Sequence, residues 1–402
     1  MISSNRPRSP VWALAVLATA GYGALYYAQP LLAVATEQQT GWSRSQTSLA
    51  LTLALLTNAA LAPVAGRALD QFGGHSLLSV GGLLGALSLL GLSLNPDSIG
   101  YGGFLLCWLL AGVAMTLTFY EAVFTVLAQQ VCAAARLRAT LTVTLVAGLA
   151  SSIFVPLTTG LLHWGGLPLA LRVLAAVLLG AALLCWVSLP LDTGNKSLAF
   201  RPVHASFAPD PAFTRLSLSL TLARIVSAGV GLQLAPLLLS RGEAPALAAG
   251  LAGLMGLAAL PGRILFGPLL ARLGVQRLTG LLLLGLGTGP LVLALTGRPG
   301  AAAVGIILFG LTNGALTLAR SELLLNRYPP ALFGTVNGHL ALPVNLAQAL
   351  TPFGMGLLFS WTRGYTISLV LLSVLAGLAA WLMLTQNNWA GRSGGDAING
   401  GD

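Results

Sequence analysis

Charge is scarce in this sequence. Only 7% of the 402 residues are Asp, Glu, Lys or Arg, whereas 56% are hydrophobic. Soluble domains carry roughly a quarter of their residues as charges, so a soluble globule is excluded. Lysine is nearly missing, with Lys196 the single one among twenty basic residues. The formal charge of +10 is spread as isolated arginines between apolar runs, with no basic cluster or stripe. That distribution excludes a nucleic-acid partner. Cys107, Cys132 and Cys185 show no metal or redox spacing, and Cys107 and Cys185, lying in apolar runs, read as small packing residues. His75, His163, His204 and His339 are too scattered for a metal site. There is no G-x-x-x-x-G-K-(S/T) loop and no nucleophile triad, which argues against ATP-driven work and against an enzyme; no cofactor is implied.

What the sequence has is long apolar runs, a mean hydropathy of +0.84 and 49 glycines. A membrane span takes about 20 apolar residues. Twelve segments qualify, at approximately 11–34, 46–69, 75–95, 99–130, 139–163, 168–191, 214–239, 245–270, 276–296, 300–326, 333–360 and 366–386. Arg6 and Arg8 ahead of Ala18-Thr19-Ala20 give the first a superficial likeness to a signal peptide. The run continues to about Ala35 and carries Tyr22, Tyr26, Tyr27 and Gln29, so it reads as a retained span. The one long polar connector, 192–212, holds Asp192, Lys196, Arg201, His204 and Asp210 with Pro202, Pro209 and Pro211. The expected organisation is an N-terminal six-helix bundle (1–191), a cytoplasmic linker (192–212), a C-terminal six-helix bundle (213–387) and a flexible tail (388–402). A connector of about 20 residues leaves no soluble sensing domain, which argues against a receptor. With the N-terminus inside, twelve basic residues flank inside loops and five flank outside ones. The positive-inside rule then puts both termini in the cytoplasm.

The two halves resemble each other. Gly66-Arg67-Ala68-Leu69-Asp70-Gln71-Phe72-Gly73 follows span two, and Gly267-Pro268-Leu269-Leu270-Ala271-Arg272-Leu273-Gly274 follows span eight. Leu117-Thr118 before Glu121 in span four matches Leu316-Thr317 before Arg320 in span ten. Two parallel six-span repeats are an architecture of transporters. The fold class expected is an all-α membrane protein, with twelve transmembrane helices in two pseudo-symmetric bundles.

On these residues the chain resembles the major facilitator superfamily over essentially its whole length. The superfamily signature is G-x-x-x-D-(R/K)-x-G-(R/K)-(R/K). Gly66, Asp70 and Gly73 match it; Gln71, Gly74 and His75 depart from its basic positions. The second copy keeps Gly267, Arg272 and Gly274, with Ala271 in place of the acid. The resemblance implies that Asp70, with Gly66, Gly73 and Arg272, gates the cytoplasmic side by latching the halves in one state. Physically, such a carboxylate pairs with a basic residue or with helix N-terminal amides. Gly41-Trp42-Ser43-Arg44-Ser45-Gln46 and Gly262-Arg263-Ile264-Leu265-Phe266-Gly267 look more narrowly like the monocarboxylate and oxalate/formate branch. That branch carries an anion-binding arginine in span eight, matched here by Arg263. Its further basic residue in span eleven has no match, where Asn337, His339, Asn345 and Gln348 stand instead.

Charge inside a span costs at least about 2.5–3.5 kcal/mol and is kept where it faces a pathway. Glu121 is the one acid well inside a span and the candidate for proton coupling. Arg320 holds the repeat-equivalent position, where a pseudo-twofold axis would oppose it to Glu121. Arg263 and Arg224 complete the anion-binding candidates, since arginine keeps its charge and needs a counter-charge. Tyr26 and Gln29 of span one, Tyr120 of span four, and the pair Asn345 and Gln348 of span eleven are candidates for lining the substrate pathway. Together these features point to a monomeric inner-membrane secondary transporter working by alternating access in the lipid bilayer. Protons and a small organic anion are the expected partners. A drug or metabolite exporter with an apolar pocket is the other reading.

Overall fold

A computed structural model describes residues 9–94, 96–190, 207–296 and 299–385. Most of the expected linker and the whole expected tail lie outside the described residues. Among the described residues the chain is helical throughout, without a strand. A bilayer interior offers no water to unsatisfied amides, so an apolar chain crossing it is driven to close its hydrogen bonds within each segment.

Ten helical runs are long and apolar enough to cross a membrane. One of them, Ala133–Ser188, holds 56 residues, too many for one crossing. It turns at Gly165 (φ −150°, ψ 16°) and Gly166 (φ 68°, ψ −167°). Counting it as two and adding the 30-residue helix Pro211–Ser240 brings the spans to the expected twelve. They are α1 Pro10–Thr40, α2 Arg44–Phe72, α3 Gly74–Leu92, α4 Ile99–Gln130, α5 133–164, α6 167–188, α7 Pro211–Ser240, α8 Pro245–Leu273, α9 Val275–Leu295, α10 Pro299–Arg327, α11 Phe333–Thr362 and α12 Thr366–Leu384. Three spans are not the simple helices the apolar runs suggest: α1 contains a π-helix at Tyr22–Tyr27, α4 is broken at Phe119, and α5 turns at Gly148-Leu149.

The chain divides into two compact units. One comprises residues 1–205 with 331–349, the other 206–330 with 350–402. In the first, α2 packs on α4, α3 on α4, α3 on α6, and α1 on α6. In the second, the same pairings recur as α8 on α10, α9 on α10, α9 on α12, and α7 on α12. A side-chain bond joins the first and last spans of each unit, with donor and acceptor spans exchanged. Cys185 Sγ of α6 donates to the Ala13 carbonyl of α1 at 3.4 Å. Ser219 Oγ of α7 donates to the Ala379 carbonyl of α12 at 2.8 Å. Gly73 and Gly274 both bridge consecutive helices at φ 83° and 71°, a conformation in which a Cβ is strained. That requirement explains why glycine closes both copies of the repeated motif.

Each bundle turns its largest apolar side chains outward as well as inward; Val187, Leu295 and Phe353 are exposed, as lipid-facing residues are. Polar side chains in the spans are mostly tied to their own helix. Thr19, Thr36, Thr116, Thr118 and Thr279 each donate to the carbonyl four residues earlier.

At the start of α7, Asp210 caps the helix by accepting from the Phe213 amide at 2.7 Å and pairs with Arg327 at the end of α10. Burial alone would raise this carboxyl. The Phe213 amide and the Arg327 guanidinium outweigh it and hold Asp210 below its ordinary value. A depressed carboxylate stabilises the fold above the unfolded value of 3.8 and loses that contribution as the pH falls through the folded value. Asp210→Asn should therefore lower the melting temperature of the purified protein at neutral pH. The gap to the parent should close only below about pH 4; a gap independent of pH would remove the charge from the explanation.

Candidate functional site

The helical breaks in α1 and α4 meet. Phe119 is extended (φ −82°, ψ 179°), so the second part of α4, Tyr120–Gln130, starts as a new helix in mid-span. The dipole of a helix that starts there presents a partial positive charge in mid-span. Glu121 occupies that first turn. A half-helix N-terminus suits a carboxylate in a medium that otherwise disfavours it. Opposite, the π-helix of α1 widens the chain at Tyr22–Tyr27. Tyr22 stacks on Phe119 with ring centroids 4.0 Å apart and lies 4.7 Å from the Tyr120 ring, which stacks on Phe124 at 5.2 Å. Gly21 permits this approach, because a Cβ there would sit 2.8 Å from Thr118 Oγ1.

The sequence places Tyr22, Tyr26 and Gln29 on nearby faces of one α-helix. The π-helix rotates the later residues of the span relative to the earlier ones and separates the three. Tyr22 joins the aromatic stack. Tyr26 Oη accepts from Gln348 Nε2 of α11 at 3.3 Å. Gln29, 6% exposed, lines a separate apolar cavity with Leu32, Trp42, Phe104 and Trp108. Asn345 is buried on α11, one turn before Gln348.

Asp70 closes α2 at the other end of this unit. Its Oδ1 accepts from the Gly334 amide at 2.9 Å and from Gln129 Nε2 at 2.8 Å. Its Oδ2 accepts from the Thr335 amide at 2.6 Å and Thr335 Oγ1 at 2.7 Å. Gly334 and Thr335 are first-turn residues of α11, so the carboxylate caps a helix it does not belong to. Of the two physical partners open to Asp70, amides of a helix start are the ones present. The cap needs α2 and α11 in backbone contact. Gly66 lies against the Gly334 carbonyl and Gly338 against that of Ala62, and a Cβ at either glycine would collide. This contact groups 331–349 with the first unit. Gly73 ends α2, as above, and Arg272 is exposed in the last turn of α8, where a cation complements the carbonyl end of the helix.

Gln129 and Thr335 complete the Asp70 cap, Asn337 Nδ2 donates to the Glu121 carbonyl at 3.1 Å, and Asn58 lines a small cavity beside Glu121; none of the four is among the site residues read from the sequence. A signal was present: Gly334 and Gly338 are four apart, as are Asn58, Ala62 and Gly66, and small residues at that spacing bring helices together.

The second unit holds Arg224 on α7, Arg263 on α8 and Arg320 on α10, none fully exposed. Arg224 Nε is buried and makes no hydrogen bond. One turn on, Ser227 Oγ donates to Asn313 Oδ1 of α10 at 2.7 Å. Gly262 presses against the Leu311 carbonyl, which fixes where α8 and α10 cross beside Arg263.

The model of the Major Facilitator Superfamily matches residues 11–296. The chain belongs to that superfamily. It is thus a multi-pass membrane protein of a transporter family, not an enzyme family. No curated protein sequence matches it. Solved structures of superfamily members share the fold. The human organic anion transporter MFSD10 is 17% identical with a TM-score of 0.77, over 94% of this chain and 100% of that one. A bacterial homologue of the iron transporter ferroportin is 16% identical, TM-score 0.77, over 96% and 100%. The proton:xylose symporter XylE is 15% identical, TM-score 0.75, over 94% and 95%.

Hydrogen bonds to a charged group contribute about 1.5–3 kcal/mol each. Asp70→Ala should lower the melting temperature clearly, and Thr335→Val by less. The double variant should melt close to Asp70→Ala, because the Thr335 hydroxyl has no carboxylate to bond once Asp70 is gone. Additive losses in this cycle would mean that the two residues act separately.

Proposed function

We propose that this superfamily member is a proton-coupled secondary transporter that carries a small organic carboxylate across the inner membrane by alternating access. The observation that carries the coupling is the mid-span break of α4, which sets Glu121 at the positive end of a half-helix in an otherwise apolar span. A carboxylate at such a helix end, in an otherwise apolar span, stands where a proton could be exchanged as access alternates. Support for an anionic cargo comes from the second unit, whose spans carry Arg224, Arg263 and Arg320. An arginine keeps its charge at any physiological pH. The Asp70 cap on α11 supports a cytoplasmic gate, made when α2 and α11 meet and lost when they part. The arginine asymmetry supports cytoplasmic termini, which reporter fusions at Gly194 and at the C-terminus would read directly. Export of a lipophilic cation is the second reading, and the aromatic stack of Tyr22, Phe119, Tyr120 and Phe124 beside Glu121 favours it.

The test is accumulation against exchange in proteoliposomes, over a panel of carboxylates and lipophilic cations. Glu121→Gln should abolish accumulation driven by a pH gradient and keep exchange of labelled for unlabelled cargo, because exchange needs no net proton movement. Arg263→Lys should weaken carboxylate transport, having lost the planar fork, and Arg263→Ala should weaken it further. Accumulation surviving in Glu121→Gln would remove Glu121 from coupling. Cation transport indifferent to Arg263 would favour export.

A further inference from the structure

At the end of the first unit opposite Asp70, a hollow of about 310 Å³ opens between the ends of α1 and α3 and the start of α6. Its lining includes Gln39, Ser93, Leu94, Leu167 and Arg172. A pocket of this size is at the lower end of those that hold small ligands. Among the described residues Arg172 is the one charge in the lining, is exposed, and makes no hydrogen bond or ion pair. Glu37, two residues before Gln39 on α1, is already committed to Arg44 at 3.3 Å and to Thr47 Oγ1 at 2.6 Å. Gln39 is exposed and brings a carboxamide that can donate. The matching corner of the second unit is filled from within. There Arg241, which caps α7 as Gly41 caps α1, donates to the Leu293 and Thr296 carbonyls at the end of α9, at 2.6 and 2.8 Å. Gly41 has no side chain with which to do the same.

The surroundings of the hollow are those of a membrane interface. Arg172 stands five residues into α6, about 7.5 Å from its start, on the face that also exposes Leu169, Leu179 and Leu183. Trp164, at the turn leading into α6, is 81% exposed, as indoles at the headgroup level are. From the hollow, Leu94, Leu90, Leu87 and Leu83 run along α3 at spacings of four and three, all exposed. A guanidinium on the lipid side of a span is costly unless it meets a counter-charge or water, and its planar fork matches phosphate oxygens. A free anion would use the hollow alone, whereas the leucine stripe beside it gives an acyl chain a place to lie. We propose that this hollow binds a phospholipid, with the phosphodiester at Arg172 and Gln39 and one acyl chain along Leu83, Leu87, Leu90 and Leu94.

The test follows thermal melting of the purified full-length protein, washed free of lipid in dodecyl maltoside, as dioleoyl phosphatidylglycerol is titrated in. Dioleoylglycerol supplies the chains without the phosphate, and glycerol phosphate supplies the phosphate without the chains. The phospholipid should stabilise the protein to a saturating extent, and neither part alone should do so. Arg172→Gln should raise the half-saturating lipid concentration roughly tenfold. Arg172→Lys should raise it by less, since it keeps the charge and loses the fork. Gln39→Glu, which sets a carboxylate against the phosphate, should raise it as well, and keeps the test decisive should Arg172→Gln fold poorly. A parent protein that does not respond to the phospholipid, or Arg172→Gln and Gln39→Glu variants that respond as the parent does, overturns the site. Dioleoylglycerol acting as strongly as the phospholipid overturns phosphate recognition. Glycerol phosphate acting as strongly makes the ligand a free phosphate ester and overturns the lipid.

Discussion

The controlling constraint is that an amide inside a bilayer finds no water. A span is therefore a helix unless something else in the protein answers for the bonds it gives up. Among the places in the first unit that depart from a plain helix, Tyr22–Tyr27 and Phe119 lie against each other, and each is backed by the other. The Tyr22 ring covers Phe119, and Gly21 lets the two chains approach. Once the break is tolerated, its consequence is electrostatic. A helix that begins in mid-membrane presents its positive end there, and Glu121 stands in that first turn. The same logic governs the start of α11, where amides left over by a helix end are satisfied by a carboxylate from α2.

Much of this was legible in the residues. Apolar runs gave the number of spans, because a bilayer imposes a length. The duplicated motif located the repeat, and Gly73 and Gly274 take matching backbone conformations for that reason. Asp70 was legible as a polar anchor, and the structure selected amides over a basic partner. Glu121 stood out because an acid in an apolar span is costly.

What stayed hidden is local geometry that apolarity does not encode. The α1 residues show a helical pattern through Tyr22, Tyr26 and Gln29, and nothing in it announces the extra width that sends them to three different surroundings. Phe119 is an ordinary apolar residue, so the break in α4 leaves no compositional trace. Asn58 looks like one polar residue in a long apolar stretch, and only the close passage of α2 along α11 makes it a wall of a cavity. Helix contacts formed by backbone on backbone are hard to read from a sequence, since the residues that permit them are small and common.

The start of α11 has a further consequence. The residues leading into it, Pro329-Pro330-Ala331-Leu332, include no Ser, Thr, Asp or Asn that could cap it from its own chain. Asp70 supplies the cap from a distant part of the sequence. A helix end capped only by a neighbour frays when that neighbour withdraws, so parting of α2 and α11 would shorten α11 by about its first turn. The length of this helix then becomes a readout of which helices are in contact, and hydrogen exchange at Gly334 and Thr335 would register it without any cargo or label.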